Sequence, residues 1–293
     1  LSWISCFSCS FFSAVKSDIC DATFLSRGIG GKTALDYLIK VKELPFTEAV
    51  ERIVGRAAER PSVFHARAQP EKPKTLLLPP ESNSNTRVIA YLKSRGIDGG
   101  LIEQCIRSGQ LYESLPYHNA VFVGMDRDGT PRYACLRGIG TDFKGEATGS
   151  DKRFSFALPA TGESRMLCVF ESAIDLLSYA TMAQAGGLSW RSQHLLSLAG
   201  VYKPQKETQE HRLPLALTQY LKDHAEIKTI CLCLDNDMTG RSATEAIRQQ
   251  LAERYKVASA FPRQGKDYND WLCIRMGLQP AKENPMTERS FAR

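Results

Sequence analysis

The hydrophobic positions in the second half of the chain fall into short runs that alternate with segments of helical spacing. A short apolar or β-branched run bounded by polar residues predicts a buried strand. Strands that alternate with helices predict a parallel sheet with right-handed crossovers, and therefore an α/β domain. The predicted strands are residues 166–170, 195–198, 229–234 and 256–261, with a helix at residues 243–255.

The preceding part of the chain has a different pattern, which predicts two helices and then a hairpin. Asp128-Gly129 is a turn signal, and apolar and polar residues alternate on both sides of it. The pattern predicts a small α+β domain at residues 86–160, ahead of the α/β domain at residues 165–275. The predicted elements are helices at 87–92 and 98–108 and strands at 119–125 and 131–137.

The remaining segments show less periodicity. Residues 61–85 are rich in Pro, Lys and Ser, which predicts an extended linker. Residues 276–293 are polar and predict a disordered tail. Residues 1–60 begin irregularly and then predict short helices, the last of which runs to Ala58 with Thr47 as its N-cap.

Two of the predicted strands end on carboxylates. Glu171 follows the first strand, and Asp235 and Asp237 follow the strand at residues 229–234. Open α/β sheets bind ligands at the carboxyl ends of their strands, and neighbouring carboxylates repel unless a cation separates them. Their hard oxygen atoms suit Mg²⁺ or Mn²⁺. The alternative is a polar turn in which Asp237 is only a helix N-cap.

Composition limits the class of protein without naming it. The chain has 293 residues, of which 43% are hydrophobic and 24% charged, with a net charge of +6. This modest basic excess is compatible with a nucleic-acid partner. The sequence has no apolar run of about 18 residues, so no membrane span is expected. Most of its nine cysteines lie in apolar runs, which is typical of reduced thiols in a cytoplasmic protein.

The order of these motifs resembles the Toprim domain of bacterial primases, topoisomerases and some nucleases. The resemblance covers about residues 165–272, and the helices and hairpin ahead of it resemble the preceding segment of primases. Together they resemble the primase-like Toprim proteins of plasmids and mobile elements, whose middle domain has no assigned function. The matching residues are Val169-Phe170-Glu171, then Leu234-Asp235-Asn236-Asp237-Met238-Thr239-Gly240, then Gly265-Lys266-Asp267-Tyr268-Asn269-Asp270.

The resemblance implies a Rossmann-like Toprim fold and a metal-dependent site. Asp235 and Asp237 would hold Mg²⁺ or Mn²⁺, and Glu171 would be either a further ligand or a general acid or base. Asp267 and Asp270 are expected to line the same cleft. Asp175, in the first turn of a helix, is expected to lie outside the metal shell.

The implied function is primase-like nucleotidyl transfer on single-stranded DNA, in the replication of a plasmid or mobile element. Nucleotides and a replicative helicase would be further partners. Two alternatives stay open: a metal-dependent nuclease with the same carboxylates, and a non-catalytic nucleic-acid-binding accessory with a vestigial acidic site. A topoisomerase is not expected, because no tyrosine is marked out as a nucleophile.

Three further groups of residues were considered as sites for a metal ion or for nucleic acid. Residues 1–60 resemble a truncated zinc-binding domain of primases, but Cys6, Cys9 and Cys20 lack a fourth ligand nearby, so zinc is not expected there. His118, His194, His211 and His224 show no metal-ligand spacing.

A basic cluster interleaved with Phe143, Phe154 and Phe156 predicts nucleic-acid contacts, although a solvated hairpin face is an equal alternative. Its residues are Arg137, Lys144, Lys152 and Arg153.

Overall fold

The structure is a computed structural model, and it describes residues 38–39, 42–54, 75–200 and 213–280. The chain divides into two compact units, residues 1–71 and 72–293. In the first unit, helix α1 covers Phe46–Val54. Thr47 therefore lies within the helix and is not its N-cap. The predicted zinc-domain cysteines lie outside the described residues.

Residues 75–85, predicted as linker, belong to the second unit and contact its first sheet. The amide of Leu77 donates a hydrogen bond to the carbonyl of Thr148 at 2.9 Å. Leu76 packs against the buried cluster that contains Tyr112 and Val121. The Leu77 backbone and the partly buried Leu76 side chain therefore contact the first sheet, whereas the Leu77 side chain is 61% exposed. The linker at residues 61–85 stays a prediction.

The first part of the second unit is the predicted α+β arrangement. Two helices precede a four-stranded antiparallel sheet of order β1-β2-β3-β4. Asp98 is the N-cap of the second helix, and its Oδ1 accepts a hydrogen bond from the amide of Leu101 at 2.9 Å. The elements are α2 (Thr86–Ser94), α3 (Gly99–Arg107), β1 (Leu111–Glu113), β2 (Ala120–Met125), β3 (Pro131–Arg137) and β4 (Lys144–Glu146).

A five-stranded sheet of order β5-β7-β6-β8-β9 follows, and its last four strands are parallel. This confirms the predicted α/β fold with flanking helices. The strands are β5 (Ala157–Leu158), β6 (Met166–Phe170), β7 (His194–Ser197), β8 (Thr229–Leu232) and β9 (Lys256–Ser259). The helices are α4 (Ala173–Ala185), α5 (Leu215–Asp223), α6 (Met238–Leu251) and α7 (Tyr268–Arg275).

Strand β5 was not predicted. It pairs antiparallel with β7 and extends the parallel sheet by one edge strand. Two residues are too short to carry a periodic signal, and their place in the sheet comes from tertiary contacts. Residues 157–158 were predicted to belong to the middle domain, yet they hydrogen-bond in the second sheet.

The core explains how the two sheets stay together. On β6, Cys168 and Phe170 face one hydrophobic cluster, while Leu167 and Val169 face another, as the two-residue period of a strand requires. The first cluster runs on into the α+β part, where Phe122 and Phe156 pack edge to face at 5.7 Å. The second unit therefore has a continuous core across the predicted domain boundary.

In the described residues, every helix is too short or too polar to pass through a lipid bilayer.

Candidate acidic site at the carboxyl edge of the sheet

Adjacent parallel strands bring the predicted carboxylates to one edge of the sheet. Strands β6 and β8 are neighbours in register, with Val169 opposite Leu232. The chain leaves both strands at the same edge, and the amide of Asp235 donates to Glu171 Oε1 at 3.1 Å. Glu171 and Asp235 are thus joined although 64 residues separate them.

Asp237 has two roles in the geometry. Its Oδ1 accepts a hydrogen bond from the amide of Gly240 at 2.8 Å, so it is the N-cap of α6. Its other oxygen, Oδ2, lies 3.6 Å from the ammonium nitrogen of Lys266. The N-cap alternative and the acidic-site prediction are therefore compatible, because each uses a different oxygen atom of the same carboxylate.

The last position of the Asp-x-Asp-x-x-Gly motif requires glycine for a steric reason. A Cβ atom on Gly240 would lie 2.3 Å from the carbonyl oxygen of Asp235 and 2.8 Å from Glu171 Oε1. Both distances are far below van der Waals contact, and the first partner is backbone. Any side chain at this position would push α6 away from the two carboxylates.

Lys266 supplies a positive charge between the aspartates. Its Nζ lies 3.9 Å from Asp235 Oδ2 as well as 3.6 Å from Asp237 Oδ2. The loop that carries it is fixed by two bonds: the amide of Asn236 donates to the carbonyl of Lys266 at 2.7 Å, and the amide of Lys266 donates to Asp270 Oδ2 at 3.0 Å. Asp270 therefore holds the lysine loop. Sequence reasoning missed Lys266, although it lies in the Gly-Lys-Asp motif.

Asp175 lies in the first turn of α4, as predicted, but it is 6% exposed. Its Oδ2 accepts from the hydroxyl of Ser172 at 2.5 Å, and its Oδ1 accepts from the amide of Asn269 at 3.3 Å. Burial raises the pKa of Asp175, and its charge in turn raises the pKa of Asp235. The expectation of a simple helix-dipole carboxylate was incomplete, because Asp175 acts electrostatically on the site.

Burial and mutual repulsion shift three carboxylates far from their ordinary acidity. Burial raises the pKa of Asp235 to about 8, and the charges of Asp175 and Glu171 add to the shift. Burial, with the charges of Asp237 and Asp175, raises the pKa of Glu171 to about 7. Burial and Asp175 raise the pKa of Asp267, the N-cap of α7, to about 7. Such shifts are concentrated at functional sites.

The donor set fits a hard divalent cation. Carboxylate oxygens are the ligands that Mg²⁺ and Mn²⁺ prefer, and Lys266 shows that the space beside Asp235 and Asp237 holds a positive charge. In the described residues, the carboxylates of Glu171, Asp235 and Asp237 do not form a set with all ligand atoms within 4.8 Å of one another. A cation near the position of the Lys266 ammonium group would face Oδ2 of both aspartates.

The predicted basic cluster separates into two groups. Lys152 lies 3.0 Å from Glu146, and Arg153 lies 2.5 Å from Asp151, so both of these cations have carboxylate partners. Phe156, counted among the interleaved aromatics, is fully buried in the core and is not a stacking surface. Phe143 is 50% exposed.

Arg137 and Lys144 form the other group. They are directly opposite one another on β3 and β4. Like charges in this position repel, and an anion between them would relieve the repulsion. Burial raises the pKa of Asp175, and the positive charges of Arg95 and Arg137 oppose that rise. Arg95 was not among the residues predicted from the sequence. The field of these two arginines therefore reaches the acidic site.

Comparison with known families identifies two segments. Residues 168–272 match the Toprim-like family (Toprim_2), and residues 90–162 match a family of proteins of unknown function (DUF3991). The chain therefore contains a Toprim-like domain, which confirms the resemblance inferred from its motifs. The domain boundaries themselves remain predictions.

Two relatives cover most of the chain at low identity. A "65 kDa protein" of Zymomonas mobilis is 26% identical over 212 residues, which are 68% of this chain and 33% of that protein. The uncharacterized protein pXO2-78 of Bacillus anthracis is 25% identical over 236 residues, 76% of this chain and 64% of that protein. The chain thus spans about a third of the first relative and just under two thirds of the second.

Among solved structures, the primase fragment of the bacteriophage T7 primase-helicase protein is similar in part. The match covers 63% of this chain and 69% of that fragment, with 19% sequence identity and a TM-score of 0.43. A similarity of this size is no evidence about activity.

Proposed function

We propose that the protein carries out primase-like, metal-dependent nucleotidyl transfer on single-stranded DNA, in the replication of a plasmid or mobile element. The observation that carries the proposal is the acidic edge of the parallel sheet. There, the amide of Asp235 bonds to Glu171, the pKa values of both carboxylates are raised, and Asp237 lies beside the same Lys266 ammonium group as Asp235. Carboxylates under this repulsion are prepared to bind a cation, which could in turn bind phosphates.

Asp235 and Asp237 would hold Mg²⁺ or Mn²⁺ at this edge. When bound, such an ion neutralises negative charge on a phosphoryl group in transfer. The N-cap bond from Gly240 to Asp237 Oδ1 fixes the direction of the second carboxylate. The absence of a side chain at Gly240 lets the helix start lie against the Asp235 backbone and Glu171 Oε1.

Glu171 is suited to move a proton. Its pKa of about 7 lies near working pH, where a general base or acid is most effective. The hydrogen bond from the amide of Asp235 holds Oε1 and leaves its other oxygen to accept a proton from an attacking hydroxyl group. Of the two roles that the sequence leaves open for Glu171, we therefore favour general acid–base catalysis.

Arg137 and Lys144 are proposed to contact the phosphates of the template. Their direct opposition across β3 and β4 supports an anion between them, and the half-exposed ring of Phe143 is a surface for base stacking. Lys152 and Arg153 would contribute less, because an intramolecular carboxylate already neutralises each of them.

A non-catalytic accessory is the second candidate, and one observation favours it. Lys266 lies between Asp235 and Asp237, where its ammonium group supplies the positive charge that a metal would otherwise supply. Because Lys266 offsets the negative charge of the two aspartates, the folded acidic site can be stable without a bound metal.

One assay separates the candidates. The full chain is incubated with Mg²⁺, a single-stranded template and labelled ribonucleotides, and in parallel with labelled DNA alone. Primase-like transfer predicts template-dependent labelled products that disappear in Asp235→Asn. Shortened DNA without new products would indicate a nuclease. Template binding without either product would indicate the accessory function and contradict the proposal.

A further inference from the structure

Two histidines and a glutamate meet at the amino edge of the parallel sheet, opposite the acidic site. His194 is the first residue of β7, and His224 is the C-cap of α5. Glu226 follows in the turn that leads to β8. The three residues belong to separate elements, and the two histidines are 30 positions apart in the sequence.

The ligand atoms of these residues have the spacing of a metal site. One ring nitrogen from each histidine and one carboxylate oxygen of Glu226 all lie within 4.8 Å of one another. His224 Nδ1 is 3.0 Å, and His194 Nε2 is 3.8 Å, from Glu226 Oε1. In a tetrahedral zinc site with bonds of about 2.0–2.1 Å, neighbouring ligand atoms lie about 3.3 Å apart. The two observed distances lie on either side of this value.

The buried nitrogen of His194 gives an independent reason for a ligand. His194 is 3% exposed, and its Nε2 has no hydrogen-bond partner. A buried polar atom without a partner is unfavourable, so a ligand at this atom would stabilise the fold. This nitrogen is the one directed toward Glu226.

Tyr220 is placed to orient the site. Its hydroxyl lies 3.0 Å from Nδ1 of His194, the ring nitrogen remote from Glu226. The amide of Ala160 lies 3.4 Å from the same nitrogen. The Tyr220 ring stacks on His224 at 4.3 Å. For Nε2 to bind a metal, Nδ1 must carry the proton and donate it to the Tyr220 hydroxyl, in place of accepting the long bond from the Ala160 amide. Metal-binding histidines usually donate their other ring N–H in this way.

We propose that His194, His224 and Glu226 bind one Zn²⁺ ion, with water completing the coordination. Imidazole nitrogen with one carboxylate suits zinc and not Mg²⁺, which prefers an all-oxygen site. The ion joins the end of α5 to the start of β7 and the turn before β8, and it therefore stabilises this edge of the sheet. It is separate from the zinc-domain cysteines considered in the sequence.

The test is a comparison of zinc binding among single-residue variants of the full chain. Chelator-treated protein is dialysed against Zn²⁺, and bound metal and the melting temperature are measured. We expect His224→Ala and Glu226→Ala to lose one equivalent of zinc and the associated rise in melting temperature. His118→Ala is the matched control: His118 lies 2.6 Å from Glu113, and in the described part of the chain it belongs to no group of three metal ligands. The metal content of this variant should stay at the wild-type value.

Cobalt distinguishes this site from thiol sites, including the buried set Cys168, Cys231 and Cys233. Co²⁺ bound at the proposed site gives visible d–d bands without thiolate charge transfer, and these bands disappear in Glu226→Ala. That side chain is about half exposed, so the variant is expected to fold. Wild-type zinc content and unchanged cobalt bands in both Glu226→Ala and His224→Ala would overturn the proposal. An equal loss in His118→Ala would overturn it too.

Discussion

The two edges of the parallel sheet carry different ligand sets, and their sequences encode them differently. At the carboxyl edge, Asp235 and Asp237 lie two residues apart in a motif that ends at Gly240. At the amino edge, His194 and His224 come from separate elements and share no motif. The carboxyl edge consists of hard oxygen donors, whereas the amino edge has two imidazoles and one carboxylate.

The difference teaches where a sequence pattern is informative. A ligand pair on one turn needs only local backbone geometry, so the residue spacing reveals it. A ligand set assembled at the beginnings of β7 and β8 depends on which strands are neighbours. His194 and His224 were therefore considered ordinary in the sequence, and only the packing of α5 against β7 brings them together.

The largest expected effect comes from removing one charge at the carboxyl edge. Asp235→Asn should reduce nucleotidyl transfer at least about 100-fold, since metal ions contribute several kcal/mol to phosphoryl transfer. It should also abolish the rise in melting temperature on adding Mg²⁺, yet leave the metal-free protein as stable or more stable, because one repulsion is gone. Rate assays and melting curves check this. Retained activity would show that these are the wrong carboxylates.

The second-largest expected effect is the pH dependence of the stability of the metal-free protein. The pKa of Asp235 rises on folding from 3.8 to about 8, so between these values the folded state binds more protons than the unfolded state. The free energy of unfolding should therefore fall as pH increases from 4 to 8, on the order of a few kcal/mol, since one pKa unit is about 1.36 kcal/mol. Urea unfolding across this range measures it. Asp235→Asn should flatten the profile, and a rise in stability toward pH 8 would contradict the shift.

A smaller effect concerns the cations near the acidic edge. Arg137→Ala combined with Lys144→Ala should weaken single-stranded DNA binding about tenfold and reduce the salt slope by about 1–2. Lys152→Ala with Arg153→Ala is the matched control and should change both less, because carboxylates already pair with these cations. Binding isotherms at several salt concentrations provide the comparison. Equal losses of DNA affinity in the two double variants would contradict the proposed difference between the two pairs of cations.

The smallest expected effect is a null result that separates the two edges. Glu226→Ala should leave Mg²⁺-dependent transfer within about twofold of wild type, because the two edges lie at opposite ends of the strands and changes at distant sites without shared partners are nearly independent. Activity measured with Mg²⁺ and without added zinc checks this. A loss comparable to that of Asp235→Asn would mean that the two edges are coupled and that the comparison is wrong.

The sequence alone was sufficient for the fold class and for the Toprim resemblance. Strands β6 and β3 occupy the residues predicted from their patterns, because each is a short run bounded by polar residues. The predicted strand at 229–234 is longer than β8, which ends at Leu232. The aspartates after it were found because the motif is contiguous.

Only the tertiary structure decided which side chains interact across the fold. Burial makes Asp175 an electrostatic neighbour of Asp235, and the loop after β9 brings Lys266 to both aspartates. Strand β5 and the amino-edge histidines have no local signal, because their positions follow from strand order and helix packing. Residue spacing determines contacts within one turn of the chain, whereas contacts between distant elements depend on the packed core.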